Sequence, residues 1–355
     1  MRNYVFVGAA ALALVACQAP GIDYTARVAP GNPAAATYRA VAVDQFRGPL
    51  GSWYAEEFEA MLRSALFEGQ PWFTVGLFGG QSNVVGVYDG TLDVGYPYVS
   101  ERYYTDTECV KKEEVDGKLK CVKKVDIEYV CLNYTVDVSV RPRLTDKATG
   151  EVIHQTSYTG SDSEEECFET GHVQYRIRRG PNDRGKGKFR FAYEDYGRPG
   201  YRLGAEYIID RLTASALRAT LWQARRDIAP YNQDVRATIL TEAKNLEVKA
   251  DPRFQFGVEA IKNDDPNTAC RLFRELADAY PSAPSVLHNL GACAEALGDT
   301  ATAQSLYGNA AAQAQATGAE PADRVLNALE RVSDIRSDEV VLDTLTLDKD
   351  EKPAS

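Results

Sequence analysis

The chain has 355 residues, a hydrophobic content of 44% and a formal net charge of −11. This length exceeds one typical domain and predicts two, with enough apolar residues for a sizeable core. A chain this acidic is poorly matched to the phosphate backbone of nucleic acid, so we expect no nucleic-acid partner.

The first residues predict export and a lipid anchor. An apolar run from Val5 to Ala16 is shorter than the roughly 20 residues of a membrane span but suits a signal peptide. Residues 14–17, LVAC, resemble the lipobox of bacterial lipoproteins. The resemblance implies that residues 1–16 are removed and that Cys17 carries lipid, including palmitate. Gln18, which is not Asp, implies an outer-membrane location facing the periplasm. The alternative is a plain secretory signal in which Cys17 is incidental.

Residues 17–37 are rich in Pro, Gly and Ala without periodicity, which predicts an irregular tether. The next segment, residues 38–245, begins with an alternating strand near Tyr38–Phe46. A helix, further strands and a long helix near residues 200–224 follow. This order predicts an α+β domain, a mixed sheet with flanking helices.

Several stretches of this domain resemble the CsgG-like group of bacterial envelope proteins, known for the curli-secretion lipoprotein. They are Val41–Phe46, the helix after Gly51, the WFTV strand at 72–75, and a long helix ending near RRDIAP at 225–230. The resemblance implies a CsgG-like fold and the capacity to form a homo-oligomer. The pattern departs between Cys109 and Lys124, where a cysteine- and lysine-rich hairpin stands in place of the membrane-spanning hairpins of pore-forming members.

One segment looks like a nucleotide-binding loop. Gly180, Gly185 and Lys186 have P-loop spacing, but Gly187 stands where a magnesium-binding Ser or Thr is required. The flanking residues alternate with period two, which predicts a β-hairpin over 172–196 with a Gly-rich tip. We therefore expect no nucleotide and no cofactor.

Residues 246–335 carry an internal repeat. Gly257 and Gly291, Ala269 and Ala303, and Phe273 and Tyr307 are each separated by the same interval, and Pro281 ends the first unit. The interval, about 34 residues, and the residue types resemble the tetratricopeptide repeat, a helix-turn-helix unit. Since two repeats bury too little surface alone, the segment also needs a capping helix, and PADRVLNALERVSDI at 321–335 suits that role. Residues 336–355 predict a disordered tail.

The repeats predict a groove for a protein or peptide partner, because such units commonly hold extended peptides or helices. The candidate groove residues, on the first helix of each repeat, are Arg253, Glu259, Lys262, His288, Asn289 and Glu295. The alternative for each of them is an ordinary solvated helix face.

Six cysteines remain after Cys17, and an oxidising compartment predicts three disulfides. Cys270 and Cys293 fall at similar heights in an antiparallel helical hairpin, so we expect them to pair. Cys131 and Cys167 would lie opposite each other in an unbroken strand ladder, although a bulge near Gly160 would spoil that register. Cys109 and Cys121 then pair by elimination. A two-residue turn at Asp116-Gly117 would oppose Cys121 to Lys112, so that pair requires a longer loop around Val115.

No motif in the sequence groups residues for catalysis or metal binding. The chain has no Cys-x-x-Cys, its three histidines are isolated, and the acidic run SDSEEEC at 161–167 lacks calcium-loop spacing. We therefore expect a non-catalytic envelope lipoprotein that acts as a protein-binding scaffold or as an assembly or secretion accessory factor, without a metal. One alternative is a ring-forming export channel of the outer membrane, whose hairpin at 172–196 would insert in the bilayer. Another is an envelope enzyme.

Overall fold

The structure is a computed structural model that describes residues 19–77, 83–115, 117–169, 198–317 and 322–347. It confirms the predicted fold class, since a mixed sheet with flanking helices is followed by an all-α region. The signal peptide, Cys17, Gly180–Lys186 and the predicted hairpin 172–196 lie outside the described residues. No helix in the described part is both long and apolar enough to cross a bilayer.

Strands dominate the first half of the chain, and only helices follow Thr238 in the described residues. The strands are β1 (Gly21–Val28), β2 (Ala40–Arg47), β3 (Leu66–Phe67), β4 (Gln70–Pro71), β5 (Thr74–Val75), β6 (Gly86–Val94), β7 (Tyr98–Val115), β8 (Lys118–Asp146), β9 (Val152–Gln155), β10 (Tyr158–Glu169) and β11 (Tyr231–Thr238). The helices are α1 (Pro33–Ala36), α2 (Gly51–Ser64), α3 (Arg198–Ile228), α4 (Leu246–Ala250), α5 (Pro252–Lys262), α6 (Pro266–Ala279), α7 (Pro284–Ala296), α8 (Thr300–Ala316) and α9 (Asp323–Leu347).

The chain divides into two compact units that interleave in sequence. The sheet unit comprises Tyr38–Ala65 and Pro71–Asp227, and the helical unit comprises the described residues up to Thr37, Leu66–Gln70 and those from Ile228 onward. The predicted boundary at residue 245 therefore moves to Ile228. The reason is that β11 pairs with β1 rather than with the large sheet.

The sheet unit is built around β8. Along one side, β8 pairs antiparallel with β6 and then β7; along the other, it pairs with β9 and β10. Parallel pairing adds β2 to β6 and β5 to β2. Because β8 is 29 residues long, one strand sets the register of most of the sheet.

Helix α2 packs on the sheet through aromatic rings. The ring of Phe46 on β2 lies 5.0 Å from that of Tyr54 and 5.4 Å from that of Phe58, measured between centroids. The ring of Phe58 lies 5.1 Å from that of Tyr88 on β6. All four side chains are buried, and removal from water contributes on the order of 1.5–3 kcal/mol for each of the two phenylalanines.

Helix α3 runs close against β10. At Gly160 an added Cβ would lie 2.2 Å from the carbonyl oxygen of Ala216, so strand and helix backbones are in contact there. The amide of Gln223 donates to the carbonyl of Thr159 at 2.8 Å. A residue with a side chain at position 160 would therefore separate the two elements.

The predicted tether over residues 17–37 is wrong for its described part, which forms β1 and the short helix α1. Strand β1 pairs antiparallel with β11 along its whole length, from Gly21 opposite Thr238 to Val28 opposite Tyr231. Ile22 and Ala26 are buried in the helical unit. The strand could not be predicted locally because its partner follows the whole sheet unit in the sequence.

Helices α5 to α8 form two helical hairpins that pack alike. The ring of Phe273 on α6 lies against Gly257 on α5, and that of Tyr307 on α8 lies against Gly291 on α7. In both pairs an added Cβ would lie 2.8 Å from a ring carbon. Of the other repeated positions, Ala269 and Ala303 are fully buried and Pro281 lies exposed between α6 and α7. The period of the repeat thus reflects one packing arrangement used twice.

Helix α9 is longer than the predicted cap. The disordered tail predicted from residue 336 is wrong as far as Leu347, because α9 continues to that residue. Val325, Val332, Leu342 and Leu345 are buried along one side of the helix. Apolar residues at helical spacing therefore continue beyond residue 335.

Three disulfides join the pairs that the sequence predicted: Cys109–Cys121, Cys131–Cys167 and Cys270–Cys293. Cys131 and Cys167 lie directly opposite in an unbroken β8–β10 register, with Cα atoms 4.0 Å apart. The bulge considered near Gly160 is absent from this register, which runs without a shift from Tyr158 to Glu169.

The connection between β7 and β8 is shorter than expected. Val115 pairs with Lys118, which leaves a two-residue turn instead of the longer loop around Val115. Cys121 does oppose Lys112. Two register shifts interrupt the ladder between Cys109 and Lys112, and the Cα atoms of Cys109 and Cys121 lie 5.8 Å apart.

We expect Gly160→Ala to lower the free energy of unfolding of the sheet unit by about 1–3 kcal/mol, because β10 and α3 must separate to admit the new Cβ. Urea denaturation followed by tryptophan fluorescence measures this unit, since Trp53, Trp72 and Trp222 all belong to it.

Gly308→Ala is the matched control. Gly308 lies within α8, and nothing surrounds the position of its added Cβ. The same methyl group should there stabilise the helical unit by about 0.5–1 kcal/mol, measured by circular dichroism. Equal effects at the two positions would contradict the close approach at Gly160.

Candidate functional site

The six residues predicted to line a peptide groove fall into two groups. Arg253, Glu259 and Lys262 lie on α5 near the surface, whereas His288, Asn289 and Glu295 lie on α7 and are fully buried. Because the second group is buried, its side chains are not available at the surface to bind a peptide.

The polar residues of α5 make local pairs. The guanidinium of Arg253 donates to both carboxylate oxygens of Asp251, at 3.0 Å and 2.6 Å, and this hydrogen bonding lowers the pKa of Asp251 to about 2. The ammonium of Lys262 lies 2.7 Å from Glu259. The Lys262–Glu259 pair is exposed and contributes little to stability, whereas the Asp251 side chain of the other pair is only 10% exposed.

Asn289 binds the chain's own backbone. Its Oδ1 accepts from the N–H of Leu240 at 2.7 Å, and its Nδ2 donates to the carbonyl of the same residue at 2.9 Å. An amide that satisfies both backbone groups of one residue holds that residue as a neighbouring strand would. The segment held in this way directly follows β11.

His288 holds the end of β11. Its Nε2 lies 2.9 Å from the carbonyl oxygen of Thr238, which can only accept, so Nε2 carries the proton. The Nδ1 atom has no hydrogen-bond partner among the described residues. Burial lowers the pKa of His288 to about 4, which keeps the ring neutral near pH 7.

Glu295 is the centre of a buried hydrogen-bond network. Its carboxylate accepts from the hydroxyls of Tyr24 on β1 and Tyr307 on α8, both at 2.6 Å. The guanidinium of Arg331 on α9 donates to both oxygens, at 2.7 Å and 2.8 Å. Burial, reinforced by the bond to Glu295, raises the pKa of both tyrosines. One carboxylate therefore ties four elements together.

The prediction that His288, Asn289 and Glu295 face a peptide groove is wrong. Their polar atoms bind β1, β11, the segment after β11, α8 and α9 of the same chain. A foreign peptide would have to displace a segment that contributes the buried Ile239 and Ala243 to the core. Sequence spacing located these residues on one helix face but gave no information about what covers it.

A second buried polar cluster lies in the sheet unit and was missed in the sequence. The hydroxyl of Tyr158 donates to Oδ2 of Asp227 at 2.6 Å, and Nε2 of His154 lies 3.1 Å from the same oxygen. Burial raises the pKa of Tyr158, and burial lowers that of His154. The cluster joins β9 and β10 to α3. No local motif could have indicated it, because Asp227 follows the other two members only at the end of α3.

Cys131, Glu165 and Cys167 bring three possible metal-ligand atoms within 4.8 Å of one another. The two sulfurs are bonded to each other. A metal-binding sulfur is a thiolate, so this group does not offer a metal site while the disulfide is intact.

Exposed tyrosines, together with Val99, are concentrated on β7 and just before it. Tyr96, Tyr98, Val99, Tyr103 and Tyr104 are all exposed. By register with β8, Tyr98 and Tyr104 share one face of the strand, and Val99 and Tyr103 share the other. The ring of Tyr104 stacks on that of Tyr129 at 5.1 Å. The aromatic surface of β7 was not identified from the sequence, although four tyrosines between positions 96 and 104 were a visible signal.

A scan of known protein families finds none that matches the chain, and no curated protein matches it. Among solved structures, one similar chain is a protein of Caulobacter crescentus CB15 that carries the provisional description of a lipoprotein. It is 14% identical, with a TM-score of 0.21, and the match covers 55% of this chain and 91% of that one. A similarity at this level carries no argument about function.

We expect Glu295→Gln to destabilise the helical unit by about 2–4 kcal/mol, because Arg331 would be left partly buried without its charge partner. Hydrogen–deuterium exchange of α7 and α8 peptides, read by mass spectrometry, would report this loss as faster exchange. Glu259→Gln is the matched control, since its exposed pair with Lys262 should change stability by less than about 0.5 kcal/mol. Equal protection in both variants would contradict the central role of Glu295.

We expect His288 to make the helical unit less stable at low pH. Its pKa is lowered in the folded chain, so its stabilising contribution is complete above its ordinary value of 6.5 and is lost as the pH falls toward 4. The difference between the two pKa values corresponds to a loss of up to about 3 kcal/mol in the free energy of unfolding.

His288→Gln retains an amide donor for the Thr238 carbonyl but does not titrate. Its unfolding free energy should therefore fall less steeply than that of the wild type between pH 6.5 and 4, whatever its value at neutral pH. Chemical denaturation of the two proteins at matched pH gives the slopes. Parallel slopes would show that His288 does not titrate on unfolding.

Proposed function

We propose that the chain is a non-catalytic lipoprotein of the cell envelope that binds a protein partner along β7. The observation that supports this most directly is an aromatic strand whose second edge pairs with no other strand in the described part of the chain. The envelope location, the lipid anchor and the binding surface are each supported by a separate observation.

The disulfides support export. Three bonds use all six cysteines after Cys17. Such bonds persist in oxidising compartments and are rare where thiols are kept reduced. This agrees with the signal peptide and lipobox read from the sequence, and hence with an envelope location. The outer membrane, implied by Gln18, is part of the proposal.

The short distance from Cys17 to β1 supports a close attachment to the membrane. Strand β1 begins at Gly21, four residues after the cysteine that would carry the lipid. Four extended residues span at most about 14 Å. A lipid at Cys17 would therefore hold the helical unit near the bilayer, without the long tether that the sequence predicted.

The partner surface that we propose is β7 because the face of α7 is already covered. In the described part of the chain, β7 pairs with β8 on one side and has no strand on the other. Edge strands offer backbone N–H and C=O groups to an added strand. Tyrosine is also enriched among the residues that dominate protein–protein binding energy.

The occupant that we propose is an extended segment of another protein. Strand addition draws affinity from backbone hydrogen bonds and specificity from side chains that alternate between two faces. The alternation of Tyr98 and Tyr104 with Val99 and Tyr103 provides such contacts on both faces of β7. A flat helix-binding groove is not needed for this mode.

The family resemblances remain part of the proposal. The repeated packing of Phe273 on Gly257 and of Tyr307 on Gly291 supports the assignment of α5–α8 as tetratricopeptide-type repeats. The order of β2, α2, the sheet and α3 is compatible with a CsgG-like domain. Neither resemblance names the partner.

The long β7–β8 hairpin argues against the alternative of an export channel. A membrane-spanning strand pair needs one apolar face toward lipid. On this hairpin Asp106 lies on one face with Ile127, whereas Asp126 lies on the other face with Thr107. Both faces therefore carry charge, which argues against insertion of this hairpin.

Site-specific photo-crosslinking tests the β7 surface. A photoreactive residue in place of Tyr98 in lipidated full-length chain should give one discrete adduct in intact cells, and peptide mass mapping should place the partner's linked residue in an extended segment. Replacing Tyr104 by Ser in the same chain should weaken that adduct. A photoreactive residue in place of Tyr207, which is exposed on α3, is the matched control and should not give it.

The other outcomes are equally informative. The same adduct from positions 98 and 207, or none from position 98, would contradict β7 as the binding surface. An adduct of the chain with itself would favour the export channel if light scattering also gives the mass of a ring-shaped oligomer. Recovery of the chain in the soluble fraction would contradict the lipid anchor.

A further inference from the structure

The helical unit contains a cavity of about 670 Å³. It is a different site from the β7 surface. Its walls come from the segment Leu240–Asn245, the first turns of α7 and α9, and the last turn of α8. Leu240, Pro284, Ala314 and Val325 supply apolar wall. Cavities of roughly 300–1,000 Å³ with an apolar lining and a few directed polar groups are typical of small-ligand sites.

The N-terminus of α7 opens into this cavity without a cap. Its N-cap residue is Ala283, which makes no side-chain cap hydrogen bond, and Pro284 at the next position has no N–H. The first N–H of the helix is therefore that of Ser285. It has no acceptor among the described residues, whereas the next two N–H groups bond to the carbonyl of Ala283. A free N–H at a helix N-terminus favours an anion.

Ser285 itself supplies the second, independent observation. It is 5% exposed and lines the cavity, and its hydroxyl bonds to none of the described residues. A hydroxyl in the wall of a cavity that bonds to no protein group can donate to a ligand acceptor. The hydroxyl and the N–H of one residue together form a two-donor site.

The charged groups around the cavity are balanced. Lys244 and Arg324 bring two positive charges, and Glu242 and Asp323 bring two negative ones. The second helix N-terminus, that of α9, begins at Asp323 and adds positive potential. A singly charged anion therefore fits better than a multiply charged phosphate.

We infer that this cavity binds a ligand through its carboxylate, with the two oxygens on the N–H and hydroxyl of Ser285 and an apolar group against Leu240, Ala314 and Val325. Two sources share this chemistry, the C-terminus of a peptide and a free branched organic acid. The inference stands independently of the partner that we propose for β7.

Matched acid and amide probes test the inference on the full-length, detergent-extracted chain by isothermal titration calorimetry. The probes are 4-methylpentanoate with 4-methylpentanamide, and the tripeptide Gly-Ala-Leu with its C-terminal amide. We expect at least one acid to bind about tenfold or more tightly than its amide, because hydrogen bonds to a charged acceptor are the stronger ones. Whichever acid binds identifies the source.

Two variants at the same position locate the site. Ser285→Ala should weaken acid binding about tenfold. Ser285→Asp should abolish it by placing a carboxylate at the helix N-terminus, and an acid in the first turn is compatible with the helix. Ser337→Ala is the control, since its hydroxyl bonds to the Ser333 carbonyl on the exposed side of α9 and should leave binding unchanged.

The inference is overturned if acid and amide bind equally, if no acid shows saturable binding at millimolar concentrations, or if Ser285→Ala binds as the wild type does. Circular dichroism of each variant verifies folding, and Ser285→Ala alone decides the matter if Ser285→Asp does not fold.

Discussion

The helical unit depends on one buried carboxylate. Glu295 receives four hydrogen bonds, two from tyrosines on β1 and α8 and two from Arg331 on α9. A buried charge is tolerated only when its partners are complete, and here they come from both ends of the chain. The same residue therefore fixes α7, places α9 over the repeats and keeps β1 in position. Apolar burial supplies most of the driving force for folding, and the hydrogen bonds of Glu295 join the elements that provide it.

The same helix face that carries Glu295 is covered by the segment that follows β11, in the part of the chain that the structure describes. His288 and Asn289 lie on the same helix as Glu295 and bind the backbone of Thr238 and Leu240. Polar side chains that other helical repeats could offer to a partner are here satisfied within the chain. The two binding surfaces that we propose, the exposed strand β7 and the cavity at Ser285, are built from different elements and different chemistry.

Local patterns in the sequence predicted local features well. The repeat period located the helical hairpins because each glycine–aromatic contact lies within one hairpin. Counting residues along two paired strands predicted Cys131 opposite Cys167. The prediction is correct because the β8–β10 ladder is unbroken. The sequence failed where partners are distant: β1 looked like a tether since β11 follows only after the sheet unit, and Glu295 looked exposed since Tyr24 and Arg331 could not be placed beside it. The sequence predicted a longer loop before Lys118, because a two-residue turn in a regular ladder would not place Cys121 opposite Cys109. Register shifts, which residue spacing alone does not reveal, occur in this ladder.

The pairing of β1 with β11 has a consequence for biogenesis. An exported chain crosses the membrane N-terminus first, so β1 emerges early and its partner β11 emerges only after the whole sheet unit. The contact between Tyr24 and Glu295 closes a separation of 271 residues, and such long loops slow folding. The sheet unit can fold while β1 waits as an unpaired strand. In the export that we propose, final assembly of the helical unit therefore follows the translocation of β11.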